Sequence, residues 1–115
     1  SNDLDLAEVH DATSISEILI CEALGFCEEG SGGKFAEDSQ SEIGGKLPVG
    51  TSGGLTAKGH PIGATGLGQI YEVVKQLRGE AGKRQVEGAK IGLVNTLGGI
   101  YRGQECNQLI HVLSQ

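Results

Sequence analysis

The chain has 115 residues, among them 20 Gly, two Tyr, two Phe and no Trp, which leaves room for one domain, residues 1–115, with a small core. Its 37% hydrophobic content, gathered into periodic runs, excludes a disordered tail, and its glycines lack collagen's three-residue period. A net charge of −6 excludes an electrostatic footprint for nucleic acid, and no apolar run approaches the roughly 20 residues of a membrane span.

Residues 4–10 (LDLAEVH) alternate apolar and acidic side chains and predict a short strand. Ser14-Ile15-Ser16-Glu17 has the spacing of a capping box, with Ser14 as the cap of a helix over residues 15–24. That helix is apolar on several sides, so protein is expected to cover more than one of its faces; Gly25 ends it. Residues 28–45 are polar and rich in Gly and Ser, and predict a surface excursion with one helical turn near Lys34–Glu37 and mobile pieces at 31–33 and 44–45. Short extended pieces follow over 47–56. A second helix is predicted over 63–78, with Leu67, Ile70, Tyr71, Val74 and Leu77 as its apolar stripe. After a charged connection, residues 89–97 and 108–113 read as two strands able to pair as a long hairpin. The order of elements implies an α/β layered fold.

The chemistry concentrates in Ser52–Gln69, SGGLTAKGHPIGATGLGQ. His60 stands between Gly59 and Pro61, a permissive residue and a fixed φ, just before a glycine-rich helix start. The unpaired N–H groups and positive dipole of that helix end favour an anion. His60 is therefore a candidate base or oxyanion donor. The same residues equally describe a capping turn with a solvated imidazole. Cys21, Cys27 and Cys106 are odd in number and lack metal-ligand spacing, so free thiols, no metal and a reducing, cytoplasmic setting are expected.

Residues 53–66, GGLTAKGHPIGATG, closely resemble the Gly-His-Pro signature of thiolases. His10-Asp11-Ala12-Thr13 resembles the His-Asp motif of the lipid-transfer-protein-like and archaeal branch, and Leu97-Gly98-Gly99 falls where that family's last glycine-rich loop lies. The resemblance implies a thiolase C-terminal domain: a mixed β-sheet with helices packed on it, one half of an αβαβα arrangement acting on acyl-CoA thioesters. Coenzyme A would then be a substrate, with no resident cofactor. By the same resemblance His60 activates a cysteine nucleophile and donates to the thioester oxygen, while His10 completes the oxyanion hole. Asn95, Gly98 and Gly99 are possible loop contributors.

Departures from the pattern bear on the activity. The family's nucleophilic Cys belongs to its N-terminal half, and no segment here matches it. Ala12 stands where some relatives carry a Cys, and Asn95 near where they place a Cys or His; an amide moves no proton at neutral pH. His111 lies away from the motifs, and Tyr101 is the one nearby side chain with a transferable proton. The leading expectation is the C-terminal half of an acyl-CoA C-acyltransferase, inactive alone. The alternatives are a retro-aldolase on CoA-linked substrates, or a non-catalytic acyl-CoA, lipid or assembly domain. Expected partners are acyl-CoA, the N-terminal thiolase half, a second copy of the chain, and a small zinc-ribbon/OB-fold protein of the kind associated with this branch. Two helices with broad apolar coverage also predict exposed apolar surface of several hundred Å².

Overall fold

A computed structural model describes residues 3–105 and 107–115, with the backbone alone at 100, 101, 104 and 105. Cys106 and the side chain of Tyr101 therefore lie outside the described residues. The sheet is built from β1 (Leu6–Glu8), β2 (Ile91–Leu97) and β5 (Gln108–Ser114), in the order β1-β2-β5. β1 runs parallel to β2, with Leu6 opposite Gly92 and Glu8 opposite Val94. β2 and β5 form the expected antiparallel pair, from Ile91 opposite Ser114 to Leu97 opposite Gln108. A small ribbon of β3 (Ile100–Tyr101) and β4 (Gln104–Glu105) caps it.

Period-two alternation divides the core between the two faces of the sheet. Ala7, Val9 and Leu93 face α1 (Ser14–Ala23) and α2 (Gly32–Glu37), where they meet Cys21, Phe26, Phe35 and Leu47. Leu6 and Val94 face α4 (Thr65–Leu77), packing on Val73, Leu77 and Ala89. The result is the mixed sheet between helices expected for the α/β class.

Several local expectations are corrected. The cap of α1 is Thr13, not Ser14: its backbone is extended (φ −143°, ψ 158°) and its Oγ1 accepts from the Ser16 amide. Cys21 is the one residue of α1 that is buried, and Ile15 and Leu19 stay exposed, so protein covers fewer of its faces than its composition implies. Residues 28–45 are more than a surface excursion. Phe35 on α2 is buried in the core, and the Gly32 amide donates to Glu22 Oε1 at 2.8 Å. Two of the glycines there are packed: a Cβ on Gly32 would meet Ile18, and one on Gly45 the carbonyl of Gln40, whereas Gly30, Gly33 and Gly44 have open space. The 47–56 stretch runs into the five-residue helix α3 (Gly54–Lys58) after a single parallel bridge between Ala7 and Val49.

The largest correction concerns α4. Its buried face is Thr65, Gln69, Glu72, Val73, Gln76 and Leu77, while Leu67 and Tyr71 of the expected stripe are 70% and 63% exposed. Buried polar groups require partners, and these have them. Gln69 Nε2 donates to the carbonyls of Val9 (2.7 Å) and Asn95 (3.2 Å), and Thr96 Oγ1 donates to its Oε1. Deeper along the helix, Gln76 Nε2 donates to Glu72 Oε1 and to the carbonyl of Arg84, which lies just past the helix on a 3₁₀ turn (Gly82–Arg84). The Arg84 guanidinium pairs with Glu72 at 2.8 Å. Glu8, fully buried, accepts from the amide and hydroxyl of Ser52 and, at 3.2 Å, from Thr51. No helix among the described residues is long and apolar enough to cross a membrane.

Close approach between α4 and the sheet depends on Gly92. A methyl placed there lies 2.5 Å from Val73 Cγ1 and 3.3 Å from Leu6 Cδ2. Gly92→Ala is expected to lower stability by about 1–3 kcal/mol through overpacking, read as a lower urea midpoint. Gly68→Ala, in α4 with nothing within 4 Å of the new methyl, should raise stability by about 0.5–1 kcal/mol.

Burial holds the Glu8 carboxyl above its ordinary value of 4.5, against the opposing Ser52 bonds, so the folded state binds that proton more tightly than the unfolded chain. Its contribution is therefore greatest at low pH and is lost as pH rises from 4.5 through the folded value. The stability of wild type minus that of Glu8→Gln should grow as pH is lowered from neutral toward 4.5. A difference independent of pH would overturn this. Glu72 has the opposite sign: burial raises its carboxyl, but the Arg84 and Gln76 bonds outweigh this and hold it low, so its stabilisation fades only below 4.5.

Candidate active site

β1 and β2 end at the same edge of the sheet, the edge where ligands collect in open α/β folds. His10 emerges two residues past β1, buried at 6% exposure. His60 lies in the loop between α3 and α4. The two rings meet edge to face, with centroids 4.8 Å apart and planes at 89°. Residues 50 positions apart in sequence thus form one site, and both were singled out by the sequence.

A latch holds the two loops together. Asp11, next to His10, accepts at Oδ1 from the Leu55 amide (2.7 Å) and at Oδ2 from the Thr56 amide (3.4 Å). The Thr56 hydroxyl donates back to the Asp11 carbonyl at 2.8 Å. The carboxylate therefore caps α3, an arrangement that satisfies the orphan amides of a helix start. The Gly53-Gly54 pair makes room for it. Both residues have positive φ (93° and 62°), and a Cβ on Gly54 would collide with the Asp11 carboxylate.

Beyond α3, Gly59 turns the chain with φ 82° and Pro61 begins the approach to α4. The backbone amides of Ala64 and Thr65 both donate to the Pro61 carbonyl, closing the turn that carries His60. His60 is exposed, and its Nδ1 lies 2.7 Å from Thr65 Oγ1.

The remaining candidates sit on or just after β2, and on β5. Asn95 shares the sheet face of Leu93, is fully buried, and its side-chain amide has no hydrogen-bond partner among the described residues. Gly98 and Gly99 follow β2 and are exposed; the Gly98 amide donates to the Asn107 carbonyl at 2.7 Å, and Gly99 has φ 113°. His111, on β5 opposite Val94, lines an apolar groove of about 310 Å³ with Ile62, Leu67, Ile70 and Leu109. Burial, with help from Glu17, pushes the Cys21 thiol up to about 12, and burial also raises Cys27. Neither carries the thiolate that nucleophilic attack requires at neutral pH. Among the described residues no cluster of three or more His, Cys, Asp or Glu is placed to hold a metal.

Sequence reasoning did not assign roles to Asp11, Gln69 or Thr65. The signals were present: an acidic residue after the first His, a Gly-Gly pair to receive it, and a Thr one helical turn beyond Pro61. Removing the latch by Asp11→Ala should lower stability by about 1–3 kcal/mol, because buried amides lose a charged acceptor. It should also weaken the proton–proton NOE between the His10 and His60 rings; a retained NOE would show that the latch does not position them.

Comparison with known proteins gives the family of the chain. The family description "Thiolase C-terminal domain-like" matches residues 1–114. An acetyl-CoA acetyltransferase of Methanothermobacter thermautotrophicus is 61% identical over 97 residues, covering 84% of this chain and 25% of that protein. Sterol carrier protein 2 of Homo sapiens is 54% identical over 97 residues, covering 84% of this chain and 18% of that protein. Benzoylsuccinyl-CoA thiolase subunit BbsB of Thauera aromatica is 42% identical over 98 residues, covering 84% of this chain and 26% of that protein. A solved structure titled Ltp2-ChsH2(DUF35) aldolase superposes with a TM-score of 0.79 at 28% identity, covering 98% of this chain and 27% of that one. The chain spans about a quarter or less of the length of the curated relatives it matches. The family match over nearly every residue establishes that the chain belongs to the thiolase C-terminal domain-like family.

Proposed function

We propose that this domain supplies the acid–base side of a thiolase-type site acting on acyl-CoA thioesters, with the cysteine nucleophile carried by another polypeptide segment. The observation that carries this reading is the His10–His60 pair, 4.8 Å between centroids, at the end of the parallel strands. His60 takes the proton of the incoming cysteine thiol. The thiolate then attacks the keto carbon of a β-ketoacyl-CoA, the bond to the α-carbon breaks, and the enolate so released takes the proton that His60 received from the thiol and leaves as acetyl-CoA. A second CoA thiol carries the acyl group away. His60, protonated, and His10 donate to the oxygen on which negative charge develops, where positioned donors are most effective. The exposed side chains Ile62, Leu67 and Tyr71 beside this site suit contact with the nucleophile-bearing half. The two-component title of the aldolase neighbour supports a further partner protein.

With the Cys21 and Cys27 thiols raised and no segment matching the family's nucleophile, the chain alone is expected to be inert. An assay of the isolated 115-residue chain should give no thiolysis of acetoacetyl-CoA above the buffer rate, and turnover would sink the proposed division of labour. Joined to a nucleophile-bearing thiolase half, the domain should support thiolysis, and His60→Ala should lower kcat/KM about 100- to 1,000-fold.

A second reading is retro-aldol cleavage of a CoA-linked substrate. It is favoured by Asn95, an amide where the resemblance expects a proton-shuttling Cys or His, and by the aldolase title of the structural neighbour. The stoichiometry separates the two: thiolysis consumes one free CoA per C–C bond broken, whereas retro-aldol cleavage consumes none and releases a carbonyl product.

A further inference from the structure

The geometry points to Thr65 as the positioning residue that sets the tautomer of His60, holding the neutral ring as Nδ1–H with a bare Nε2. This inference rests on the proposed role of His60 as the base of the site. Thr65 is the first residue of α4 and is 8% exposed. Its backbone amide donates to the Pro61 carbonyl at 3.0 Å, and its hydroxyl donates to the same oxygen at 3.1 Å. A threonine hydroxyl has one proton. With that proton directed to a carbonyl, which can only accept, Oγ1 faces His60 Nδ1 at 2.7 Å as an acceptor. The Nδ1 atom must then carry the hydrogen, and a neutral imidazole has only one N–H.

The consequence is chemical. Nε2, the nitrogen with no hydrogen-bond partner among the described residues, keeps its lone pair and can receive a proton. In water the Nε2–H tautomer of a histidine side chain is the commoner one, and in that form the ring would present a donor where a base is needed. When Nε2 takes the thiol proton, the thiol becomes thiolate and the ring becomes imidazolium. Nδ1–H stays on Thr65 throughout, and loss of the Nε2 proton restores the starting form. The helix start contributes the rigidity. Thr65 cannot turn away without giving up its bond to Pro61, and Pro61 directly follows His60, so the ring and its acceptor are carried by one closed turn. The edge-on contact with His10 restrains the ring further.

The test uses nitrogen–proton long-range correlation spectra of the full isotope-labelled chain, at a pH where His60 is neutral. The wild type should show a pyrrole-type shift at Nδ1 and a pyridine-type shift at Nε2. Thr65→Val should move both shifts toward the Nε2–H pattern, and Thr65→Ser should restore the wild-type pattern. A wild-type ring that is mainly Nε2–H, or a folded Thr65→Val chain with unchanged shifts, overturns the inference. Where the amide spectrum shows that the Val variant has not folded, the wild-type assignment decides alone. No substrate is needed, so the outcome is separable from the function: a wild-type ring without the Nδ1–H form, or a folded Thr65→Val chain that keeps it, refutes the role of Thr65, whereas an undiminished acyl-transfer rate in His60→Ala refutes the role of His60.

Discussion

The arrangement depends on the Gln69 side chain. Where β1 and β2 stop pairing, the carbonyls of Val9 and Asn95 are left in the protein interior, and a buried carbonyl without a donor is costly. The Gln69 amide donates to both, and its oxygen takes the Thr96 hydroxyl. One side chain thus holds the ends of two parallel strands at a set distance and ties α4 to them. His10 is the next residue after Val9, and His60 immediately precedes the turn that starts α4. The spacing of the two imidazoles is inherited from this stitch.

The constraint extends along α4. A helix whose buried side is Thr65, Gln69, Glu72, Val73 and Gln76 is held to its sheet by directional bonds as much as by apolar area. Such bonds fix rotation and register more narrowly than hydrophobic contact, since each buried polar atom must find its partner. This also frees the apolar residues Leu67 and Tyr71 to face outward. Buried Glu8 and Glu72, with the half-exposed Arg84, form a second polar network toward the far end of the helix, coupled through Thr51. The site end of α4 and its distal end are therefore anchored independently.

Glycine has a specific purpose here. At Gly54 it admits the Asp11 carboxylate to the start of α3, and at Gly92 it lets Val73 approach the sheet. Both substitutions of hydrogen for a side chain shorten a distance on which the site depends: loop to loop in one case, helix to sheet in the other. The exposed His60 ring, held by Thr65 on one side and His10 on the other, is then a rigid group on an open edge. Such a group is suited to complete a pocket whose other wall comes from elsewhere.

Much of this was legible in the residues themselves. The alternation in β1, the paired strands β2 and β5, the long helix after the Gly-His-Pro turn, and the choice of His10 and His60 as candidates all follow from local pattern or family resemblance. Local pattern misjudged which side of α4 is buried, because periodicity counts apolar residues, whereas this helix docks through polar ones whose partners are distant in sequence. It also missed Phe35 as a core residue, since one aromatic in a polar stretch has no period. The meeting of His10 with His60 was expected only through the resemblance, and the edge-to-face geometry of the rings, the Asp11 latch and the role of Gln69 were decided by tertiary structure alone. Each joins residues about 45 to 60 positions apart in the chain, and no short-range rule of chain geometry reaches that far.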